Sequence, residues 1–137
     1  MMVATPRHAE KNLAFKNQGD LTFADTSAAW GLDLESVSHG AVLADLDRDG
    51  DLDLVVNNMN EPLALYRNDI SASRKSLLVR LRGKKSNRFG LGARVVARTA
   101  RGVHTRIITS SRGYMSGAEP LAHIGLGASE TVVSLEV

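Results

Sequence analysis

Cysteine is absent from the 137 residues, which excludes disulfides, thiolate catalysis, thiolate zinc centres and iron–sulfur clusters. No apolar run approaches the roughly 20 residues that a membrane-crossing helix needs. The start, from Met1 to His8, also lacks the apolar stretch of a secretory signal. The chain is therefore expected to be either cytoplasmic or an internal piece of something longer. Aromatic residues make up only 4% of it. Recognisable catalytic patterns are scarce too. His39, His104 and His123 stand in no spaced ligand pair and beside no evident nucleophile, so each is expected to be a packed or surface histidine. Ser116 lies in Gly113-Tyr114-Met115-Ser116-Gly117, which is not the G-x-S-x-G elbow and is followed by no helical pattern. Gly90-Leu91-Gly92 and Gly125-Leu126-Gly127 lack the third glycine and the strand-to-helix setting of a dinucleotide fingerprint, and they read as tight β-turns. No catalytic residue and no organic cofactor site is assigned.

What is present is ordinary globular material, 43% hydrophobic and 23% charged, enough for one or two small domains. The net charge of +2 hides a division: residues 1–70 carry 5 Lys or Arg against 12 Asp or Glu, net −7, whereas residues 71–137 carry 12 against 3, net +9. Two modules are expected to meet near residue 72. The polar, aperiodic stretch around residues 68–76 reads as their connection, which puts a tail at 1–11, a first module at 12–70, a linker at 71–76 and a second module at 77–137.

The acidic module is dominated by Asp45-Leu46-Asp47-Arg48-Asp49-Gly50-Asp51-Leu52-Asp53. Five carboxylates this close repel one another, and Arg48 alone cannot offset them. Ca²⁺ can, because it takes six to eight oxygen ligands, and side chains at loop positions one, three and five with a carbonyl at seven are a known way to supply them. Asp45, Asp47 and Asp49 fill the first three positions, Asp51 the seventh and Asp53 the ninth; all five are candidate metal residues. An EF-hand would need Glu at position twelve, where this chain has Val56. Mg²⁺ prefers fewer protein oxygens and stricter octahedral geometry. The flanks, residues 41–44 and 54–56, are short β-branched-rich apolar runs that read as strands. A strand-loop-strand calcium site follows. A loop that saturates its cation with protein oxygens leaves little room for substrate, so the ion is structural rather than catalytic.

Leu13-Ala14-Phe15-Lys16-Asn17 recurs 51 residues later as Ala64-Leu65-Tyr66-Arg67-Asn68, and the first copy runs on through Gln18-Gly19-Asp20 into Leu21-Thr22-Phe23, a hairpin signal. A period of that size with several short strands per unit points to propeller blades. Residues 17–25, Ala29-Trp30-Gly31-Leu32 and residues 44–54 resemble the FG-GAP, or VCBS-type, repeat of integrin-like β-propellers. That resemblance implies Ca²⁺ held in the acidic loop between two strands of a blade. Leu21 stands where the family usually has Gly, which loosens the hairpin and leaves the metal loop untouched. One blade cannot bury its faces alone, so the chain is expected to be the C-terminal part of a longer protein whose other blades are missing here.

The basic module alternates with period two over residues 77–82, 93–99, 104–109 and 131–137, four strand candidates of an antiparallel β-sandwich or small barrel. Residues 87–95, Gly113-Tyr114-Met115-Ser116 and residues 121–127 resemble the ASPIC/UnbV domain, which follows FG-GAP-type repeats in the cartilage acidic protein/UnbV-like family. The resemblance implies extracellular, periplasmic or cell-surface binding of a protein or glycan rather than chemistry, and it makes Val137 look like a truncation. Two other readings stay open. One is a component of a biosynthetic enzyme system, from the company UnbV-like proteins keep. The other is a polyanion or nucleic-acid binder through Arg80, Arg82, Arg94, Arg98 and Arg106, placed so that they could share a sheet face with Lys84, Lys85 and Arg88 nearby. Phe89 and Tyr114 offer too little stacking there for a single-strand platform. The fold class is all-β: a partial propeller blade followed by a sandwich or small barrel.

Overall fold

A computed structural model of the chain describes residues 6–70, 74–127 and 131–137. Among these residues it is all-β and without helix, with twelve strands in five small sheets, none of them closed. Short strands β1 (Glu10–Lys11) and β4 (Glu35–Ser36) pair with each other, and β2 (Phe15–Asn17) forms a hairpin with β3 (Phe23–Asp25). Strands β5 (Ser38–Ala44), β6 (Asp53–Asn58) and β7 (Ala64–Tyr66) make an antiparallel meander with the acidic loop between the first two. The C-terminal half holds β8 (Lys75–Val79), β9 (Arg94–Thr99), β10 (Val103–Ile107), β11 (Ala122–Gly127) and β12 (Val132–Glu136). These form two sheets, β8 with β11 and the ordered triplet β10-β9-β12.

The expected hairpin is present, and its turn is built from side-chain caps: Asn17 Oδ1 accepts the Gly19 N–H at 2.8 Å and Asp20 Oδ1 accepts the Thr22 N–H at 3.0 Å. Asn68, the counterpart of Asn17 in the repeat, caps Ile70 N in the same two-residue geometry at 3.3 Å. The two copies thus share a local hydrogen bond as well as a sequence pattern. Leu21 takes φ 69° in that turn and projects almost wholly into solvent, the left-handed conformation that a side chain disfavours and glycine accepts.

The core lies in the C-terminal half. Alternate residues of the two sheets face each other there: Val79, Ala122, Ile124 and Leu126 from one, Val95, Ala97 and Ile108 from the other, with Leu77, Leu81, Ala93 and Val132 around them. This is the sandwich arrangement, and each large side chain so buried contributes on the order of 1.5–3 kcal/mol. One strand departs from expectation. Gly125-Leu126-Gly127 is no turn but the end of β11, paired with Ser76 and Lys75 across a bulge. The glycines mask a regular alternation in which Ala122, Ile124 and Leu126 point inward. Gly90 and Gly92 do form a turn, with φ of 64° and 85°. Lys75 and Ser76, expected in the connection, are already in β8, and residues 71–73 of that connection lie outside the described residues.

The N-terminal half is built differently. Leu43, Leu54 and Tyr66 fall on one face of the β5-β6-β7 sheet by register, Val42, Val55 and Leu65 on the other, so both faces are apolar. Leu43 and Leu65 remain more than half exposed, as do Leu13, Phe15, Phe23 and Trp30 elsewhere in this half. The residues that are buried here are chiefly polar: Ser27, Ser36, Asp53 and Asn58, joined by Val56.

Candidate metal centre

The acidic loop leaves β5 after Ala44 and enters β6 at Asp53, residues that are themselves paired across the sheet. Two left-handed residues, Arg48 at φ 65° and Gly50 at φ 95°, fold the intervening chain back on itself. The fold-back brings carboxylate oxygens of Asp45, Asp47 and Asp49 within 4.8 Å of one another. Backbone N–H groups orient them: Asp45 Oδ2 accepts from Gly50 N at 3.2 Å, Asp47 Oδ1 from Asp49 N at 3.3 Å and Asp49 Oδ1 from Asp51 N at 3.1 Å. Each of these carboxylates keeps an oxygen not used in those bonds. Asp45 Oδ1 is shut off from solvent and has no hydrogen-bond partner among the described residues. An enclosed carboxylate oxygen without a donor is costly unless a cation meets it. The donor set, all hard oxygens, fits Ca²⁺.

The five predicted metal residues therefore divide. Asp45, Asp47 and Asp49 come together. Asp51 belongs to the seventh loop position, where the calcium-loop pattern uses the main-chain carbonyl. Asp53 has another task. It is only 2% exposed, and its two oxygens accept from Leu46 N at 3.0 Å and Asn68 N at 2.9 Å. It ties the start of the loop to the chain leaving β7, as a brace rather than a member of the cluster.

Sequence reasoning missed two residues from the other half of the chain. By register with β11, Ser76 and His123 lie on the face of the β8-β11 sheet turned away from the core. The Ser76 hydroxyl donates to the Gly50 carbonyl, and His123 Nε2 lies 2.9 Å from the same oxygen. A carbonyl oxygen only accepts, so Nε2 carries the proton. His123 is thus neither a core histidine nor a free surface one. Ser116, dismissed as a nucleophile from its spacing, is a second tie between halves: its Oγ accepts the Ala41 N–H of the edge strand β5 at 2.9 Å and donates to Tyr114 O at 2.7 Å. Gly40 lets that loop approach closely, since a Cβ there would meet Met115 O at 3.2 Å. Between these ties runs a cleft of about 910 Å³, lined by Leu43, Asp45 and Arg48 on one side and Leu78, Arg80 and His123 on the other.

The expected basic face does not assemble. Arg94 and Arg98 lie on the outer face of β9, whereas Arg106 sits opposite Val95 on the inner side, because its parity in the β9-β10 register is the other one. Arg80 is paired with Glu119 and Arg98 with Glu136. Arg82, Lys84, Lys85 and Arg88 sit together in an exposed loop after β8, with the Arg88 guanidinium 5.9 Å from the centre of the Phe89 ring. His39 is exposed on β5 and His104 lies on β10 opposite Ala97, in different sheets.

Comparison with known proteins finds two family models at separate places in the chain. Residues 2–56 match the family model for an FG-GAP-like repeat, and residues 83–137 match that for ASPIC and UnbV. The chain is 35% identical over 119 residues to Cartilage acidic protein 1 of Mus musculus, covering 84% of this chain and 18% of that protein. It is 34% identical over 139 residues to Cartilage acidic protein 1 of Xenopus tropicalis, covering 98% and 20%. The chain thus spans about a fifth of the length of the curated relatives it matches.

Proposed function

Since the chain carries an FG-GAP-like repeat followed by an ASPIC/UnbV domain, we propose that it is a non-catalytic, calcium-binding part of an extracellular or cell-surface interaction module, in which Ca²⁺ stabilises a β-propeller blade. The single observation that carries the metal reading is the gathering of Asp45, Asp47 and Asp49 oxygens within 4.8 Å at the crossover between β5 and β6. Asp45 Oδ1, shut off from solvent and without a hydrogen-bond partner among the described residues, supports it. Bound there, Ca²⁺ would neutralise the cluster, and this chain's own residues do the rest: Asp53 ties the start of the loop to the chain leaving β7 and Gly50 permits the turn. The two apolar faces of the β5-β6-β7 sheet suit a blade covered by neighbours on both sides, as antiparallel sheets facing water are not. The boundary between the two modules of this reading falls ahead of β8, which begins at Lys75.

Calorimetric titration with Ca²⁺, with Mg²⁺ as control, tests the proposal. Saturable binding at one site that Asp49→Asn abolishes is the expected result. A folded chain that ignores Ca²⁺ would reduce the loop to an acidic surface turn.

A second, weaker reading concerns polyanions. Arg82, Lys84, Lys85 and Arg88 are exposed and carry no ion pair among the described residues, so a sulfated glycan would meet this loop rather than the strand face. Retention on heparin that Lys84→Ala/Lys85→Ala leaves unchanged would sink that idea.

A further inference from the structure

We propose that Ser76 and His123 are positioning residues of the metal loop, so that Ca²⁺ binding and the docking of the C-terminal sheet onto the blade are one linked equilibrium. The inference rests on the calcium reading above and adds to it the second half of the chain.

The argument turns on a single peptide unit. The Gly50–Asp51 peptide is held at both ends: its carbonyl by Ser76 Oγ and His123 Nε2, its N–H by Asp49 Oδ1 at 3.1 Å. Fixing the carbonyl fixes the plane of the peptide and hence the direction of the N–H. That N–H in turn aims the Asp49 carboxylate into the cluster with Asp45 and Asp47. Two donors on the carbonyl also polarise the peptide and strengthen the bond on its other side. The contact is close by construction, for a Cβ on Gly50 would stand 3.1 Å from Ser76 Oγ. Ser76 and His123 are a cross-strand neighbourhood on the outer face of β8 and β11, and the inner face of the same two strands carries Val79, Ala122 and Ile124 of the core. The donors are therefore mounted on strands that carry the buried core on their other face. The loop they hold belongs to the half that has little core of its own.

Linkage makes the effect reciprocal: whatever docking adds to Ca²⁺ affinity, Ca²⁺ adds to docking. Removing both donors leaves the carbonyl without its partners, and Ca²⁺ affinity is expected to fall by roughly tenfold. His123→Gln, which keeps Ser76 and replaces the imidazole donor with an amide N–H, is expected to bind within about twofold of wild type.

The test uses the full chain and three readouts. Ca²⁺ titration is measured calorimetrically for wild type, Ser76→Ala/His123→Ala and His123→Gln, folding is followed by thermal unfolding, and the His123 ring nitrogens are followed by NMR in the wild type during titration. Tenfold weaker binding in the double variant, near-wild-type binding in His123→Gln, and a Ca²⁺-dependent shift of the Nε2 resonance support the linkage. Equal affinity in wild type and double variant overturns it while leaving the calcium site standing. A wild type that binds no Ca²⁺ overturns the site and the linkage together. If the double variant does not fold, the NMR titration decides: Nε2 signals unmoved at Ca²⁺ saturation overturn the proposal, and shifted ones support it.

Discussion

The two halves of this molecule are both antiparallel β-structure, yet they hide opposite things. Every buried hydrophobic residue among the described residues except Val56 lies in the C-terminal half, and the four buried polar ones, Ser27, Ser36, Asp53 and Asn58, all lie in the N-terminal half. In the C-terminal half two sheets close over Val95, Ile108 and Ile124 and supply their own stability. In the N-terminal half the same kind of alternation yields apolar sheets whose large side chains, Leu43 and Leu65 among them, stay more than half exposed, and order comes from hydrogen-bonded polar ties. Ser27 shows how these work: its hydroxyl accepts the Ala14 N–H at 2.8 Å and donates to Asp25 at 2.5 Å. The lesson is that strand formation and core formation are separate requirements. A repeat unit meets the first alone and the second only with neighbours, a metal ion or a docked domain.

The sharpest way to break the comparison is to cut into each half equally. Ile124→Ala removes a fully buried side chain and is expected to cost about 3 kcal/mol in denaturant unfolding. Leu43→Ala, at a position half exposed, is expected to cost less than about 1 kcal/mol. Equal losses would mean that the blade has a core of its own after all.

Next in size is the metal. At a free Ca²⁺ concentration about a hundred times its dissociation constant, stabilisation of about 2.7 kcal/mol is expected from linkage. Asp49→Asn should remove it, and a differential scanning trace that rises with Ca²⁺ in that variant would place the ion elsewhere.

Leu21→Gly should raise stability by about 1 kcal/mol, because the turn holds Leu21 at φ 69° where glycine bears no Cβ penalty. Loss of stability in this variant would show that the leucine side chain has a partner in solution.

The smallest effect concerns acid. The Asp25 carboxyl is held below its ordinary value, first by the Ser27 hydroxyl and then by the Ser27 N–H. A depressed carboxyl contributes stability that is complete above the unfolded-state value near 4 and is lost as pH falls through the lower folded value. Asp25→Asn should therefore flatten the acid limb of the stability profile below about pH 4 and leave it unchanged at pH 7 in slope. An unaltered acid limb would refute the role of that carboxylate.

Much of the site was legible beforehand, and the exceptions have physical causes. Two-residue spacing of carboxylates with Gly50 at the turn encodes a cluster, because spacing within a nine-residue loop is a local property. That Asp53 stands outside the cluster was not legible, because a carboxylate at the ninth position looks the same whether its oxygens face an ion or the N–H groups of Leu46 and Asn68. The end of β11 was misread because glycine carries no side chain to declare its face. Arg106 was grouped with Arg94 and Arg98 because strand parity across a hairpin depends on register, and register is not written in either strand alone.

What the sequence determined by itself is therefore everything carried by short spacing: the all-β class, the acidic crossover, the capped turns at Asn17 and Asn68, and the division of charge between halves. Only the tertiary structure decided that Ser76 and His123 meet the carbonyl of Gly50, across separations of 26 and 73 residues. The reason is that periodicity fixes which face of a strand a residue occupies, whereas the partner of that face is chosen by the packing of whole sheets.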